Sequence, residues 1–421
     1  MGTCVLALLV LCGLAVAGDA GGAIQARSAP GKPAIWVDTY FENASPLHWE
    51  LKDDTTLDIM PLYDYERFSL NRQLTHWNFR IRCTPEIVGS TVAVTMAEGT
   101  NIWNGKPVPA LRGYKLAAAV CADGEHWSCV PIEQVAEGPV ALRFPVKMES
   151  TCVQVARLVP YTDTDLQAAL KRLRNHPDVR VYNIGKTVEG RPLEMVEIGA
   201  AAAPNQVFLR ARAHPWESGG SWLLDGLMQY LSSSAAEAAQ IRRQVCFCLM
   251  PMANKDGVYR GMTRFNVNGC DLNRNWFAAK PMDAELMPEN ASLKQWFDER
   301  QGQGKMPKLA ICIHNDNSGG LHLSHPPKEA EAYLARMETL EKLLRARTFC
   351  REGAKGKGQG FTNSGSFGEG VCELYGIDGL VWELREGWAD GLGRAPLHSD
   401  WQKLGVEFAK IVRDFFATTR P

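Results

Sequence analysis

Between Ala34 and about Val159, apolar and polar residues alternate with a period close to two. In Trp77-Asn78-Phe79-Arg80-Ile81-Arg82 and Val140-Ala141-Leu142-Arg143-Phe144 every second side chain is apolar, and residues 90–95 and 152–156 follow suit. Such runs, broken by polar turns, predict half-buried antiparallel strands, and their succession predicts an all-β sandwich over residues 34–159. Beyond Pro160-Tyr161-Thr162-Asp163 the period changes. Leu166, Leu170 and Leu173 share one helical face, with Asp163 or Thr164 placed to cap the helix.

Strand-like and helix-like segments then alternate, which predicts an α/β layer fold for residues 160–421. The expected strands lie at 179–184, 193–198, 207–213, 245–251, 309–313 and 379–384. An amphipathic helix runs to about Leu231 and another closes the chain from Leu404 to Phe416. Val245-Cys246-Phe247-Cys248-Leu249-Met250 is apolar throughout, as a strand covered on both faces must be. Asn254-Lys255-Asp256-Gly257 reads as a turn, and the Gly/Lys-rich stretch 353–360 as a loop.

Charge alters this picture little. Lys+Arg 46 against Asp+Glu 47 in 421 residues leaves no field to attract nucleic acid or an anionic membrane surface. No apolar run reaches the roughly 20 residues of a membrane span. The N-terminus adds more: the apolar run from Val5 to Leu11, followed by Ala15-Val16-Ala17, reads as a signal peptide over residues 1–18, so the expected destination is periplasmic or extracellular. An exported chain can oxidise its cysteines. Cys121 and Cys129 flank the Asp123-Gly124 turn and are the expected disulfide, while Cys246, Cys248 and Cys312 read as buried thiols.

Candidate chemistry collects at strand ends. Val207-Phe208-Leu209 leads into His214-Pro215-Trp216-Glu217, the 309–313 strand ends at His314, and Glu383 lies inside the 379–384 strand. In open α/β sheets ligands bind at the carboxyl ends of strands. Two imidazoles and a carboxylate form the ligand set of a catalytic zinc with one position open, and a further buried carboxylate is costly without a compensating partner. Taken singly, each residue is as well read as a packed His or an ion-paired Glu, and His48, His76 and His126 carry only that reading.

Between these positions stands Asp271-Leu272-Asn273-Arg274-Asn275-Trp276, preceded by Asn254-x-Asp256-Gly257 and followed by Trp382-Glu383-Leu384-Arg385. In this order, the motifs resemble the zinc carboxypeptidases of the carboxypeptidase A and B type from about Pro160 to Arg385. Pro160-Tyr161-Thr162 before a helix, Arg264 ten residues ahead of Arg274, and the preceding β region are most similar to the cytosolic carboxypeptidase subfamily. The resemblance implies a mixed-sheet catalytic domain and one Zn2+ held by His214, Glu217 and His314. It also implies Glu383 as general base, Arg264 as the group that polarises the scissile carbonyl, and Asn273 with Arg274 as a clamp on the C-terminal carboxylate of a peptide or protein substrate. Two positions depart from the family pattern. Trp216 occupies a place usually given to a small residue or Arg, and Phe361 stands where a substrate-capping Tyr is usual. Counting back from the base reaches Gly368-Glu369 in the specificity region: Glu369 in the pocket would favour basic C-terminal residues, whereas Gly368 in the pocket would leave Glu369 a solvated loop residue. A same-fold amidase or deacylase, and a catalytically silent binding protein, are the alternatives.

Overall fold

The computed structural model describes residues 34–67, 69–113, 115–136, 138–326, 328–357 and 362–419. The expected signal peptide 1–18 and Phe361 lie outside them.

The alternating segments of the N-terminal half become strands because each can bury one face. In chain order they are β1 (Ile35–Asp38), β2 (Leu47–Leu51), β3 (Thr56–Pro61), β4 (Asn78–Cys83), β5 (Thr91–Ala97), β6 (Thr100–Trp103), β7 (Lys106–Pro109), β8 (Ala117–Cys121), β9 (Ser128–Pro131), β10 (Glu133–Gln134), β11 (Val140–Lys147) and β12 (Cys152–Ala156). One sheet has the order β1-β4-β12-β8-β9 and the other β10-β11-β5-β3-β2, while β6 and β7 form a separate hairpin. Phe79, Ile81, Val153 and Val155 of the first sheet share a core with Ile59, Val94, Phe144 and Val146 of the second. Their polar neighbours Arg80, Arg82 and Arg143 stay outside it, as a period of two requires.

The expected cysteine pair is corrected here. Asp123 does make the turn, its Oδ1 accepting the N–H groups of Glu125 and His126. Cys129, however, stands opposite Ala119, two residues from Cys121 along the partner strand, and both cysteines are free thiols. Direct cross-strand partners are the ones close enough to bridge, and this diagonal pair is not.

After the sandwich comes α1 (Asp163–Leu173). Its cap is Thr162, one residue before the expected positions: Thr162 and Asp165 exchange side-chain-to-backbone bonds in a capping box. The mixed sheet follows, with β13 (Val179–Lys186), β14 (Pro192–Ile198), β15 (Asn205–Ala211), β16 (Val245–Met250), β17 (Leu309–Asp316), β18 (Gly320–Leu323), β19 (Ala354–Lys355) and β20 (Asp378–Arg385). Its order is β13-β14-β16-β15-β17-β20-β18-β19. The central strands β16, β15, β17 and β20 are parallel to one another, and antiparallel strands flank them. Val207, Leu209 and Ala211 of β15 face a core shared with α1, α2 (Gly219–Leu231), α6 (Ala330–Arg347) and α8 (His398–Thr418), whereas Phe208 faces α5 (Pro288–Gly302) and α7 (Phe367–Tyr375). Helices α2 and α8 touch through glycine: a Cβ at Gly405 would stand 2.0 Å from the Leu223 carbonyl oxygen. The stretch read as a turn at 254–257, beyond α3 (Ala236–Gln244) and β16, is instead the cap and start of a short helix, α4 (Lys255–Tyr259), with Asn254 accepting from the Gly257 N–H.

The two halves pack as one unit. Arg157, just past β12, donates from Nε and Nη2 to Glu386, just past β20, at 2.7 and 2.8 Å, with both side chains buried. The Asn43 amide donates to the Val258 carbonyl at 2.8 Å, and Glu42 accepts from the N–H of Asp163.

Candidate metal centre and substrate cavity

The segment after β15 leaves the sheet through an unusual backbone. Arg212 is left-handed, with φ 60°, and wholly buried, donating from Nη1 to the Tyr161 carbonyl at 3.0 Å. Such a conformation persists only where its surroundings enforce it, and here it turns the chain so that His214 and Glu217 face the carboxyl end of β17. Asn315, one residue past His314, accepts from the Gly219 N–H at 3.0 Å and donates to the Leu384 carbonyl. That side chain fastens the start of α2 to the ends of β17 and β20.

Three donors converge. His214 Nδ1 lies 2.7 Å from Glu217 Oε1 and 3.1 Å from His314 Nδ1, and His314 Nδ1 lies 2.7 Å from Glu217 Oε2. The ligand atoms of His214, Glu217 and His314 all fall within 4.8 Å of one another. Two nitrogens on a tetrahedral zinc, each about 2.0–2.1 Å from the metal, would be about 3.3 Å apart, close to the separation found. The outer nitrogens are engaged as well: His214 Nε2 is 3.1 Å from Asp271 Oδ1, and His314 Nε2 is 3.1 Å from Cys312 Sγ. Partners of this kind leave each Nδ1 lone pair for a metal. The donor set fits a single Zn2+.

Electrostatics divide the neighbouring carboxylates. Burial pushes the Glu217 carboxyl up, with His214 opposing. Asp271 is also buried, but the charges of Arg264 and His214 outweigh burial and hold it well below the usual carboxylate range. Glu383 stands opposite His314 in the β17–β20 register. Enclosure by the protein, with Asp316 and Glu217 nearby, pushes its carboxyl well above the usual range, and Oε2 has no hydrogen-bond partner among the described residues.

One cavity of about 550 Å³ is lined by His214, Glu217, Arg264, Asn273, Arg274, Glu369 and Glu383. Arg264 is held by Nε and Nη2 donating to Asp271 Oδ2 at 2.9 and 2.7 Å. Asn273 accepts from the Phe367 N–H at 3.0 Å. Arg274 donates to the Asn273 carbonyl and forms no ion pair among the described residues; burial lowers its pKa, with the charge of Asp271 opposing. A cationic fork without a carboxylate, on the wall of a cavity, suits an incoming anion. Glu369 reaches the same wall with a different office. Its two oxygens accept the N–H and hydroxyl groups of Thr362 and Ser364 in four bonds of 2.6 to 2.9 Å. It therefore ties a loop to α7, and the expected basic preference loses its free carboxylate.

Trp216 also finds its place. Its ring centroid lies 5.2 Å from the Arg157 guanidinium carbon, which lies 5.0 Å from that of Trp77. The large side chain fills the join between the halves next to the Arg157–Glu386 pair. Sequence reasoning missed Asp271, although it heads the quoted Asp271-Leu272-Asn273-Arg274 run, and an acid beside an Arg–Asn pair was an available signal. It also missed the sandwich residues Gln73, Thr75 and Trp103 on the cavity wall, for which no local signal exists.

Residues 166–307 match the zinc carboxypeptidase family. That stretch contains His214, Glu217, Arg264, Asn273 and Arg274, and stops short of His314 and Glu383. The chain is 35% identical over 131 residues to cytosolic carboxypeptidase 6 of Caenorhabditis elegans, covering 30% of this chain and 28% of that protein. It is 34% identical over 176 residues to human cytosolic carboxypeptidase 1, covering 38% of this chain and 14% of that protein. The chain thus spans a small part of these relatives' length. Metallo-carboxypeptidases from Burkholderia cenocepacia (TM-score 0.75, 19% identity, 92% of this chain and 100% of that one) and Pseudomonas aeruginosa (TM-score 0.74, 19% identity, 91% and 100%) share the fold. Residues 166–307 are thus similar to the zinc carboxypeptidase family, on a fold shared with these metallo-carboxypeptidases.

Proposed function

We propose that this domain hydrolyses C-terminal residues from peptides or proteins. The observation that carries the reading is that one cavity brings together His214 and Glu217 of the three-donor set, Glu383, whose Oε2 has no hydrogen-bond partner among the described residues, and Arg274, which forms no ion pair among them. Zinc held by the three ligands would supply Lewis acidity at the scissile carbonyl and the attacking water. Glu383 accepts the proton of that water and returns it to the leaving amine. Arg264, fixed by Asp271, stabilises negative charge as it develops on the carbonyl oxygen. Arg274, assisted by Asn273, binds the terminal carboxylate and so selects the last peptide bond.

Any preference for basic termini rests on Glu369, whose four hydrogen bonds argue against it. Export rests on residues 1–18, whereas the curated relatives are named as cytosolic proteins. No helix among the described residues is long and apolar enough to cross a membrane. The deciding experiment is metal analysis of the purified protein together with mass spectrometry of hippuryl-Arg, hippuryl-Phe and hippuryl-Glu, incubated with and without a chelator. One bound zinc and chelator-sensitive release of the terminal residue are expected; intact substrates in both arms would remove the reading. N-terminal sequencing of the mature protein tests export, with a start near Asp19 expected.

A further inference from the structure

We propose that Asp64 of the sandwich is the positioning residue for Arg264, so that the N-terminal half sets the aim of a group that acts in the reaction. The segment from Thr263 to Trp276 bears Arg264, Asp271, Asn273 and Arg274 yet contains no strand or helix. Its backbone therefore needs fixing from outside. Asp64, in the connection after β3, reaches across. Its Oδ1 accepts the Thr263 N–H at 2.9 Å, and its Oδ2 accepts the N–H groups of Arg264 at 2.5 Å and Phe265 at 3.1 Å. Three consecutive amides converging on one carboxylate constrain the dihedrals on both sides of Arg264, through bonds about twice as strong as neutral ones.

Three residues further on, the Arg67 N–H and Nε donate to the Gly269 and Asn268 carbonyls at 2.8 and 3.2 Å. The middle of the same loop is thereby fastened to the same sandwich segment. Asp271 cannot take over this task, because it lies on the loop it would have to fix and holds only the tip of the Arg264 side chain. The Trp216 N–H also donates to the Thr263 carbonyl at 3.4 Å, linking the segment to the turn that carries Glu217. Hence a displacement of 263–265 moves the guanidinium relative to the metal ligands. Misplacing a reacting group by about 1 Å can cost about 10²-fold in rate.

This inference rests on the reading of Arg264 as the group that stabilises the oxyanion. The experiment compares wild type, Asp64→Asn, Asp64→Ala, Arg264→Ala and the Asp64→Asn/Arg264→Ala double variant on whichever hippuryl dipeptide is cleaved fastest. Zinc content is measured alongside hydrogen exchange at residues 263–265. Asp64→Asn keeps size and part of the acceptor capacity, so it serves even where Asp64→Ala fails to fold. The expected result is a kcat lowered about tenfold or more, KM and zinc content unchanged, faster exchange at 263–265, and less than twofold further loss when Asp64→Asn is added to Arg264→Ala. The proposal is overturned by the same fold-loss in both backgrounds, by a change in KM alone, or by unchanged kcat with 263–265 deprotected. An Arg264→Ala enzyme with full kcat would remove the Arg264 reading itself, a separate failure visible in that variant alone.

Discussion

The mixed sheet and the sandwich meet at the same cavity and serve it by different means. From the mixed sheet come side chains set at or beside the ends of parallel strands: His214 and Glu217 after β15, His314 near the end of β17 and Glu383 opposite it on β20. From the sandwich come walls such as Trp103, and ties to backbone, above all Asp64 on Thr263, Arg264 and Phe265. The difference follows from what holds each segment. A strand end inherits its position from hydrogen-bonded ladders on both sides, so a single side chain placed there is already aimed. The 263–276 loop has no ladder and takes its geometry from carboxylates and carbonyls that reach it from elsewhere.

If the chemistry belongs to the sheet, Glu383→Gln should lower kcat by about 10²–10⁴-fold while zinc content and thermal midpoint stay unchanged. Retained turnover would place the base elsewhere and break the division. The join comes next. Glu386→Ala would leave Arg157 buried and unpaired, at a cost of about 3–5 kcal/mol in urea unfolding; a loss below about 1 kcal/mol would mean that this pair does not hold the halves together. Arg274→Ala should remove about 1.5–3 kcal/mol of transition-state binding to peptides with a free C-terminus. The kcat/KM gap between free and amidated peptides should shrink accordingly, and an undiminished gap would move the clamp off Arg274.

The smallest effect belongs to the sandwich. Burial, reinforced by the nearby charge of Arg212, pushes the His76 imidazole down to about 3, against about 6.5 in an unfolded chain. Between these values the unfolded chain binds a proton that the folded one does not. Stability is therefore complete above about pH 6.5 and declines as the pH falls through the window, by up to about 1.4 kcal/mol per pH unit. Urea midpoints at pH 7, 6 and 5 should show this slope flattened in His76→Asn; an equal slope in both proteins would assign it to other groups.

Much of the architecture was legible because it is periodic. Alternation marked the sandwich strands, and the unbroken apolar run at 245–250 marked a strand covered on both faces. Local chemistry was harder to place. The cap of α1 moved to Thr162 because Asp165 completes a reciprocal pair with it. The Cys121–Cys129 expectation failed because register, which two cysteines in a sequence do not specify, set them diagonally. Glu369 shows the same limit: position along the chain brought it to the cavity wall, and only the surrounding donors decided what its carboxylate does.

By itself, the sequence determined which residue types could bind a metal, move a proton and grip a carboxylate, since these follow from side-chain chemistry and from strand ends marked by local patterning. The tertiary structure alone decided which nitrogen of each histidine faces the site, that Asp271 links Arg264 to His214, and that Asp64 reaches Arg264 from another part of the fold. The reason is physical. Periodicity is a property of neighbours in the chain, whereas a hydrogen bond across 200 residues depends on how two separately folded surfaces come to lie against each other.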